Sequence, residues 1–167
     1  MSENETTKRD LSKELQKLIN YQFHDQSRLE EACTRVSFRN ERQLPLRESM
    51  DPLATLGDAV LDLAVIYHLY EQGERAKGRL TEIKIKKVKR TNTRSFAERH
   101  NLKEYINWGK GENQDKVYKK GNKALDTCVE ALIGAVYFDA QKSEKNGMKV
   151  VIEMLEHLDF FDQIMKP

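Results

Sequence analysis

The sequence predicts an all-helical protein, and three observations carry that. From Pro52 to Tyr70, PLATLGDAVLDLAVIYHLY repeats apolar residues alternately three and four apart, at Leu53, Leu56, Val60, Leu63, Tyr67 and Tyr70. That is the period of one helix face. Lys123 to Asp139, KALDTCVEALIGAVYFD, does the same with Leu125, Cys128, Val129, Leu132, Ala135 and Val136. Nowhere do apolar and polar residues alternate over the length of a half-buried strand.

Composition sets the bounds. A chain of 167 residues is long enough for one domain with a real core, and 38% hydrophobic residues argue against disorder. Charged residues reach 34%, against a usual value of roughly 25%, so the surface is heavily charged. The net charge of +2 conceals an uneven distribution. Cys33 and Cys128 fall on apolar helix faces and read as reduced core thiols, which suits a reducing compartment. No CxxC or Cys/His cluster points to zinc. There is no signal peptide and no uninterrupted apolar run of bilayer length, so the expectation is a cytoplasmic protein without a membrane.

The elements follow in order. Residues 1–10 are polar and read as a loose tail ahead of a domain covering 11–167. Leu11, Leu15, Leu18 and Ile19 mark a first amphipathic helix, and Asp25 caps a second with Leu29, Ala32 and Cys33. Arg35 to Met50 carries no stripe and reads as a loop. The helix after it starts with Asp51 as cap and Pro52 in its first position. Ala54, Leu61 and Val65 make its other side apolar too, so it reads as a buried central helix. After a turn with Gly73 and Gly78, Arg79 to His100 reads as one long basic helix, open to a break at Thr91-Asn92-Thr93. Leu102, Tyr105, Ile106 and Trp108 form a short apolar piece, and Gly109 to Asn122 is a polar loop with four lysines. Met148, Val151, Ile152 and Leu155 give a last helix, packed down by Phe160, Phe161 and Ile164.

Two carboxylates interrupt the apolar helices. Asp58 lies between Gly57 and Ala59, and Glu130 lies near Ala131, Gly134 and Ala135, small residues that allow two helices to approach closely. Asp126, one turn before Glu130, shares its face. An embedded carboxylate is costly unless a partner, a metal or a wet cleft receives it. If the helices cross, Asp58, Glu130 and Asp126 converge, and converging carboxylates repel unless a cation joins them. With oxygen donors alone, that cation is Mg²⁺, or Mn²⁺. The other reading, equally open on pattern, is that each acid is satisfied separately by hydrogen bonds or a salt bridge.

From Leu80 to Arg94 the chain carries Lys84, Lys86, Lys87, Lys89, Arg90 and Arg94 against the single acid Glu82. That excess favours a polyanion surface over a merely solvated helix face.

At these helices the sequence resembles the ribonuclease III family. LGDAVLDLAV (Leu56 to Val65) is similar to its signature helix and VEALIGAVYFD (Val129 to Asp139) to its second acidic motif. LINYQFHDQSRLEEACT and NLKEYINWGKGE agree in order, so the resemblance runs from about Leu15 to Asp139. It implies a helical endonuclease domain, a homodimer, double-stranded RNA as substrate, Mg²⁺ as cofactor, and products with 5′-phosphate and 3′-hydroxyl ends. Asp58 and Glu130 match the family's two motif acids. The glutamates usual seven and four positions before Asp58 are Asp51 and Ala54. The aspartate usual three before Glu130 is Thr127, with Asp126 beside it as a substitute. The aromatic usual in dimerisation is Thr55, and Lys77 stands where the next turn usually has an acid. Alanine and threonine at the two lost positions resemble the Mini-ribonuclease III branch, as does the end at Pro167 without room for a double-stranded RNA-binding domain.

The first expectation is therefore an endoribonuclease acting on structured RNA, such as an rRNA precursor. Asp58, Glu130 and Asp126 would hold the metal, Asp51 would stand behind them, and Lys84, Lys86, Lys87, Arg90 and Arg94 would hold phosphates. The loss of acid at Ala54 favours a rival, a degenerate member that binds RNA or a ribonucleoprotein without cleaving it. A third reading, a helical DNA-binding regulator, rests on the basic helix alone.

Overall fold

The computed structural model describes residues 3–45, 48–117 and 122–162, and eight α-helices with two short 3₁₀ turns carry the fold over them. They are α1 Glu3–Leu18, α2 Gln26–Ala32, α3 Val36–Glu41, α4 Met50–Glu71, α5 Lys77–Lys87, α6 Arg90–Arg99, α7 Ala124–Lys142 and α8 Gly147–His157. Among the described residues there is no strand, only an isolated bridge between Thr34 and Asn107. The expectations for Ile164 and for Lys119 and Lys120 lie outside the described residues.

Everything is built on the crossing of α4 and α7, the largest helix–helix contact in the molecule. The glycines make it possible. A Cβ added at Gly57 would overlap the carbonyl oxygen of Glu130 and lie 2.8 Å from the nitrogen of Gly134. One added at Gly134 would overlap the carbonyl oxygen of Leu53. The helices thus touch backbone to backbone, and Asp58 and Glu130 flank the contact. On this side of α4, Leu53, Ala54, Val60, Leu61, Ala64, Val65 and Leu69 are buried. Helix α7 is covered by α4 together with α2, α6 and α8, which is why it is buried on nearly every side.

Several expectations are corrected. Leu63, Tyr67 and Tyr70 are exposed, at 52%, 48% and 50%, because α4 has two apolar sides and only one packs on α7. By length and composition α4 would also pass for a membrane span. Its uncovered side nonetheless carries Asp51 and Asp58, which a bilayer would have to desolvate, so it is read as a core helix. Ser49, in an extended conformation, precedes the first turn of α4, so Asp51 lies inside the helix and is not its cap. Helix α1 begins at Glu3, within the stretch expected to be a loose tail.

The segment from Arg35 to Met50, expected as a loop, contains α3, which buries no residue. It is held from outside: Arg35 N donates to Asn107 O at 3.2 Å, and Glu112 accepts from the Arg35 guanidinium at 2.7 Å and from Ser37 Oγ at 2.5 Å. The long basic helix is two helices, broken at Val88 and Lys89 and not at Thr91 to Thr93. Asn92 Nδ2 donates to the carbonyl oxygen of Lys86 at 2.5 Å, so its side chain takes a carbonyl at the end of α5.

Other expectations hold. Asp25 caps α2, accepting from Ser27 N at 3.0 Å. Phe161 stacks on His68 at 3.9 Å and Phe160 meets Phe96 edge-on at 5.2 Å, which seats the last turn over α4 and α6. Cys33 and Cys128 are both buried thiols outside any disulfide. The buried Asp139 is an anchor that the apolar pattern did not announce. It accepts from Tyr21 Oη at 2.7 Å and from the backbone nitrogens of His24 and Asp25 at 2.9 Å each, fixing the α1–α2 turn to α7.

Candidate active site

The α4–α7 crossing delivers two acids to one place. Asp58 follows Gly57 on α4 and is exposed at the mouth of the contact, not embedded in the core. Glu130, whose backbone touches Gly57, is half-buried. Burial pushes its carboxyl up to about 7, the charges of Asp58 and then Asp126 push the same way, and Arg90 opposes them. The acids are therefore close enough to repel, which is the arrangement a cation relieves.

Asp126 takes another course. It is 2% exposed and turned into the contact between α7 and α6, where Arg94 Nη2 lies 3.6 Å from its Oδ2. Burial raises its carboxyl against the pull of Arg94 and Arg90. It shares a helix face with Glu130 as expected, but it serves an ion pair with α6 and does not open to the mouth. Asp51 is exposed in the first turn of α4, two turns before Asp58. Thr127 Oγ1 donates to Lys123 O at 2.9 Å, and Ala54 is buried at 6% exposure, so neither restores a carboxylate.

Among the described residues, no three His, Cys, Asp or Glu side chains gather tightly enough to hold a metal between them. The donor set that remains, two neighbouring carboxylates with one open to solvent, fits a hard cation that keeps several waters and takes further oxygens from a substrate phosphate. It does not fit a cage made by the protein alone.

The basic helices divide sharply. Lys84 Nζ is 2.7 Å from Asp62 Oδ2, tying α5 to α4 one turn beyond Asp58. Lys86 is exposed and paired with Glu82 at 2.7 Å. Arg94 is committed to Asp126 and donates to the carbonyl oxygen of Asn122. Arg90 is exposed. Lys87, expected to hold phosphate, is 3% exposed, with Nζ 3.5 Å from Phe161 O and 6.0 Å from the Phe160 ring centre.

Burial lowers the Lys87 ammonium to about 8, with Asp162 opposing. A lysine depressed in the folded state binds its proton more weakly there than when unfolded. Its penalty is therefore present at neutral pH and fades as pH rises from about 8 towards 10.5. Lys87→Met is expected to raise the melting temperature at pH 7 by a few degrees, with less gain at pH 10, in calorimetric melts.

A profile described as ribonuclease-III-like matches residues 25–157. The chain belongs to the ribonuclease III family. It is 34% identical over 149 residues to ribonuclease 3 of Listeria welshimeri, covering 88% of this chain and 62% of that protein. It is 35% identical over 128 residues to the enzyme of Nitratidesulfovibrio vulgaris, covering 76% and 50%. The chain thus spans between half and two thirds of these relatives. Two structures of the nuclease domain of Campylobacter jejuni ribonuclease III superpose on it with TM-scores of 0.71 and 0.73, at 26% and 25% identity. They cover 90% and 93% of this chain and 96% and 97% of theirs. One is described as flexible in a region involved in dimer formation.

This ribonuclease III fold places residues that the sequence alone did not single out. Asp62 is the first: its spacing of four from Asp58 was a visible signal, but its partner Lys84 lies on another helix. Glu112, in the GKGE stretch, is the second. It accepts from Gly109 N at 3.1 Å as well as from Arg35 and Ser37, and so pins the polar loop to α3.

Proposed function

We propose that this chain is a divalent-metal-dependent endoribonuclease that cleaves double-stranded or structured RNA to 5′-phosphate and 3′-hydroxyl ends. One observation carries the reading: a backbone-to-backbone helix crossing brings Glu130 to Gly57, beside the exposed Asp58, whose charge adds to burial in pushing Glu130 up to about 7. Asp58 and Glu130 would hold Mg²⁺ or Mn²⁺, with Asp51 further out on the same helix. When bound, the ion supplies an activated water and steadies a phosphate oxygen. Lys86 and Arg90 are the exposed cations of the expected phosphate set, suited to the phosphates and shape of an A-form duplex.

The test is incubation of pure protein with long RNA duplex in Mg²⁺ and in EDTA. Fragmentation that needs the metal supports the nuclease. Salt-sensitive binding without fragmentation would replace it by the RNA-binding, non-cleaving member that Ala54 and Thr127 favour.

The pH behaviour follows from Glu130. Its raised carboxyl is protonated below about 7, and a metal binds the deprotonated form. Mn²⁺ affinity, followed by electron paramagnetic resonance, is expected to rise roughly fivefold from pH 6 to 7, by about a further twofold to pH 8, and to level off above.

The working form is proposed to be a homodimer. Leu63, Tyr67 and Tyr70 on α4 and Ile85 on α5 leave large apolar side chains in water. Thr55, at the family's dimerisation position, is exposed on α4 two turns before Leu63. A closed two-fold pair would cover this face. Leu63→Lys is expected to shift the protein to monomer at micromolar concentration in sedimentation velocity, with helicity unchanged.

A further inference from the structure

Helix α5 gives way to α6 at two residues. Val88 (φ −79°, ψ 3°) ends the one and Lys89 (φ −56°, ψ 135°) opens the other. The last carbonyls of a helix have no partner within it and must find one outside. Asn92, in the first turn of α6, supplies it. Its Nδ2 donates to Lys86 O at 2.5 Å and lies 3.4 Å from Lys87 O, while its backbone nitrogen donates to Lys89 O at 2.8 Å. One residue therefore bridges both helices and sets the bend between them. Two further ties seat α5 on the body: Lys84 Nζ lies 2.7 Å from Asp62 Oδ2, and Lys87 Nζ lies 3.5 Å from Phe161 O.

The bend sorts its side chains. Lys87 and Thr93 turn into the body, at 3% and 1% exposure, and Lys86, Lys89 and Arg90 are exposed. Residues 86–90 thus carry three outward cations, and no Asp or Glu occurs between Glu82 and Glu98. Glu82 holds the Lys86 ammonium at 2.7 Å, but both partners are exposed, so a phosphate readily takes its place. On a loose joint each cation would have to find a phosphate separately. On a fixed joint the first contact brings the others to theirs, and less freedom is lost on binding.

We propose that the α5–α6 bend is a preset grip for the phosphates of an RNA strand: Lys86, Lys89 and Arg90 contact them together, and Asn92 is the positioning residue that holds the three in register. This rests on the RNA reading above and adds Lys89 and Asn92 to it.

The test uses the whole chain and an RNA duplex in EDTA, where binding is measured without cleavage, at several salt concentrations. Each phosphate contact contributes about one unit to the slope of log affinity against log salt. Lys89→Ala should lower that slope by about one unit. Asn92→Leu keeps every cation and adds no charge, yet it should lower the slope by about two units and weaken binding about tenfold. Asn92→Gln, which keeps the amide donor, should restore at least half of the lost slope. Lys149→Ala, an exposed charge on α8, should leave the slope unchanged. Circular dichroism checks that each variant is folded, and Lys89→Ala with Lys149→Ala decides the matter should Asn92→Leu not fold. A lower melting temperature with an unaltered slope in Asn92→Leu would make Asn92 structural only and overturn the proposal. An unaltered slope in Lys89→Ala, or an equal loss in Lys149→Ala, would overturn it too, while RNA binding by the unaltered chain stands. Absence of salt-dependent duplex binding in the unaltered chain would overturn the RNA reading, and this grip with it.

Discussion

Asp58→Asn is expected to lower Mg²⁺-dependent cleavage of duplex RNA by at least about 1,000-fold, roughly 4 kcal/mol of transition-state stabilisation. The side chain is exposed and flanks the crossing without filling it, so the fold does not depend on its charge. Its loss also relieves a repulsion on Glu130, for Asp58 is the first charged group raising that carboxyl. Stability should therefore stay within about 0.5 kcal/mol, or rise slightly. An unchanged melting curve with lost cleavage and weakened Mn²⁺ binding is the expected set. Cleavage by Asp58→Asn at the unaltered rate would remove the metal site from the crossing.

Gly57→Ala is expected to have the largest effect on folding. The added methyl group would overlap the carbonyl oxygen of Glu130 and lie 2.6 Å from its carbonyl carbon. These are backbone atoms of a helix buried on nearly every side, so no side chain can swing away. Overpacked cores usually lose about 1–3 kcal/mol, and this position belongs at the upper end or beyond. The melting temperature should fall by about 10 °C, or the protein should fail to accumulate. Gly111→Ala is the control, because a Cβ there meets nothing within 4 Å. Equal melting temperatures for the two variants would show that α4 and α7 do not meet through Gly57.

Much of this was legible in the sequence. Apolar spacing located α4, α7 and α8, Asp25 announced the start of α2, and the small residues around Asp58 and Glu130 foretold a close crossing. What failed did so for identifiable reasons. Helix α3 has no apolar stripe because it packs through Arg35, Ser37 and Glu112, partners distant in sequence. In α4 two apolar stripes compete, and spacing cannot say which meets α7. Lys87 was misread although its position was informative: it follows Leu80 by seven and Ile83 by four, on the apolar side of α5. Asp126 does share a face with Glu130, but α7 is surrounded, so one face can serve α6 at one turn and the mouth at the next. At the site, the two motif acids were legible as a pair. The division of the cations was not, since it depends on Asp62, Asp126 and the last turn.

The knot at Asp139 bears on the order in which the molecule can be made. Tyr21 and its partner there are 118 residues apart, and α4 has its main packing partner in α7. A growing chain therefore carries a finished α4, without its main packing partner, until α7 has emerged. At roughly 5–20 residues per second, the stretch between the two helices occupies several seconds of synthesis. For that interval the most hydrophobic helix of the protein is in search of a neighbour. Shielding by a ribosome-bound chaperone, or pairing with another nascent chain through Leu63, Tyr67 and Tyr70, would both act in that window.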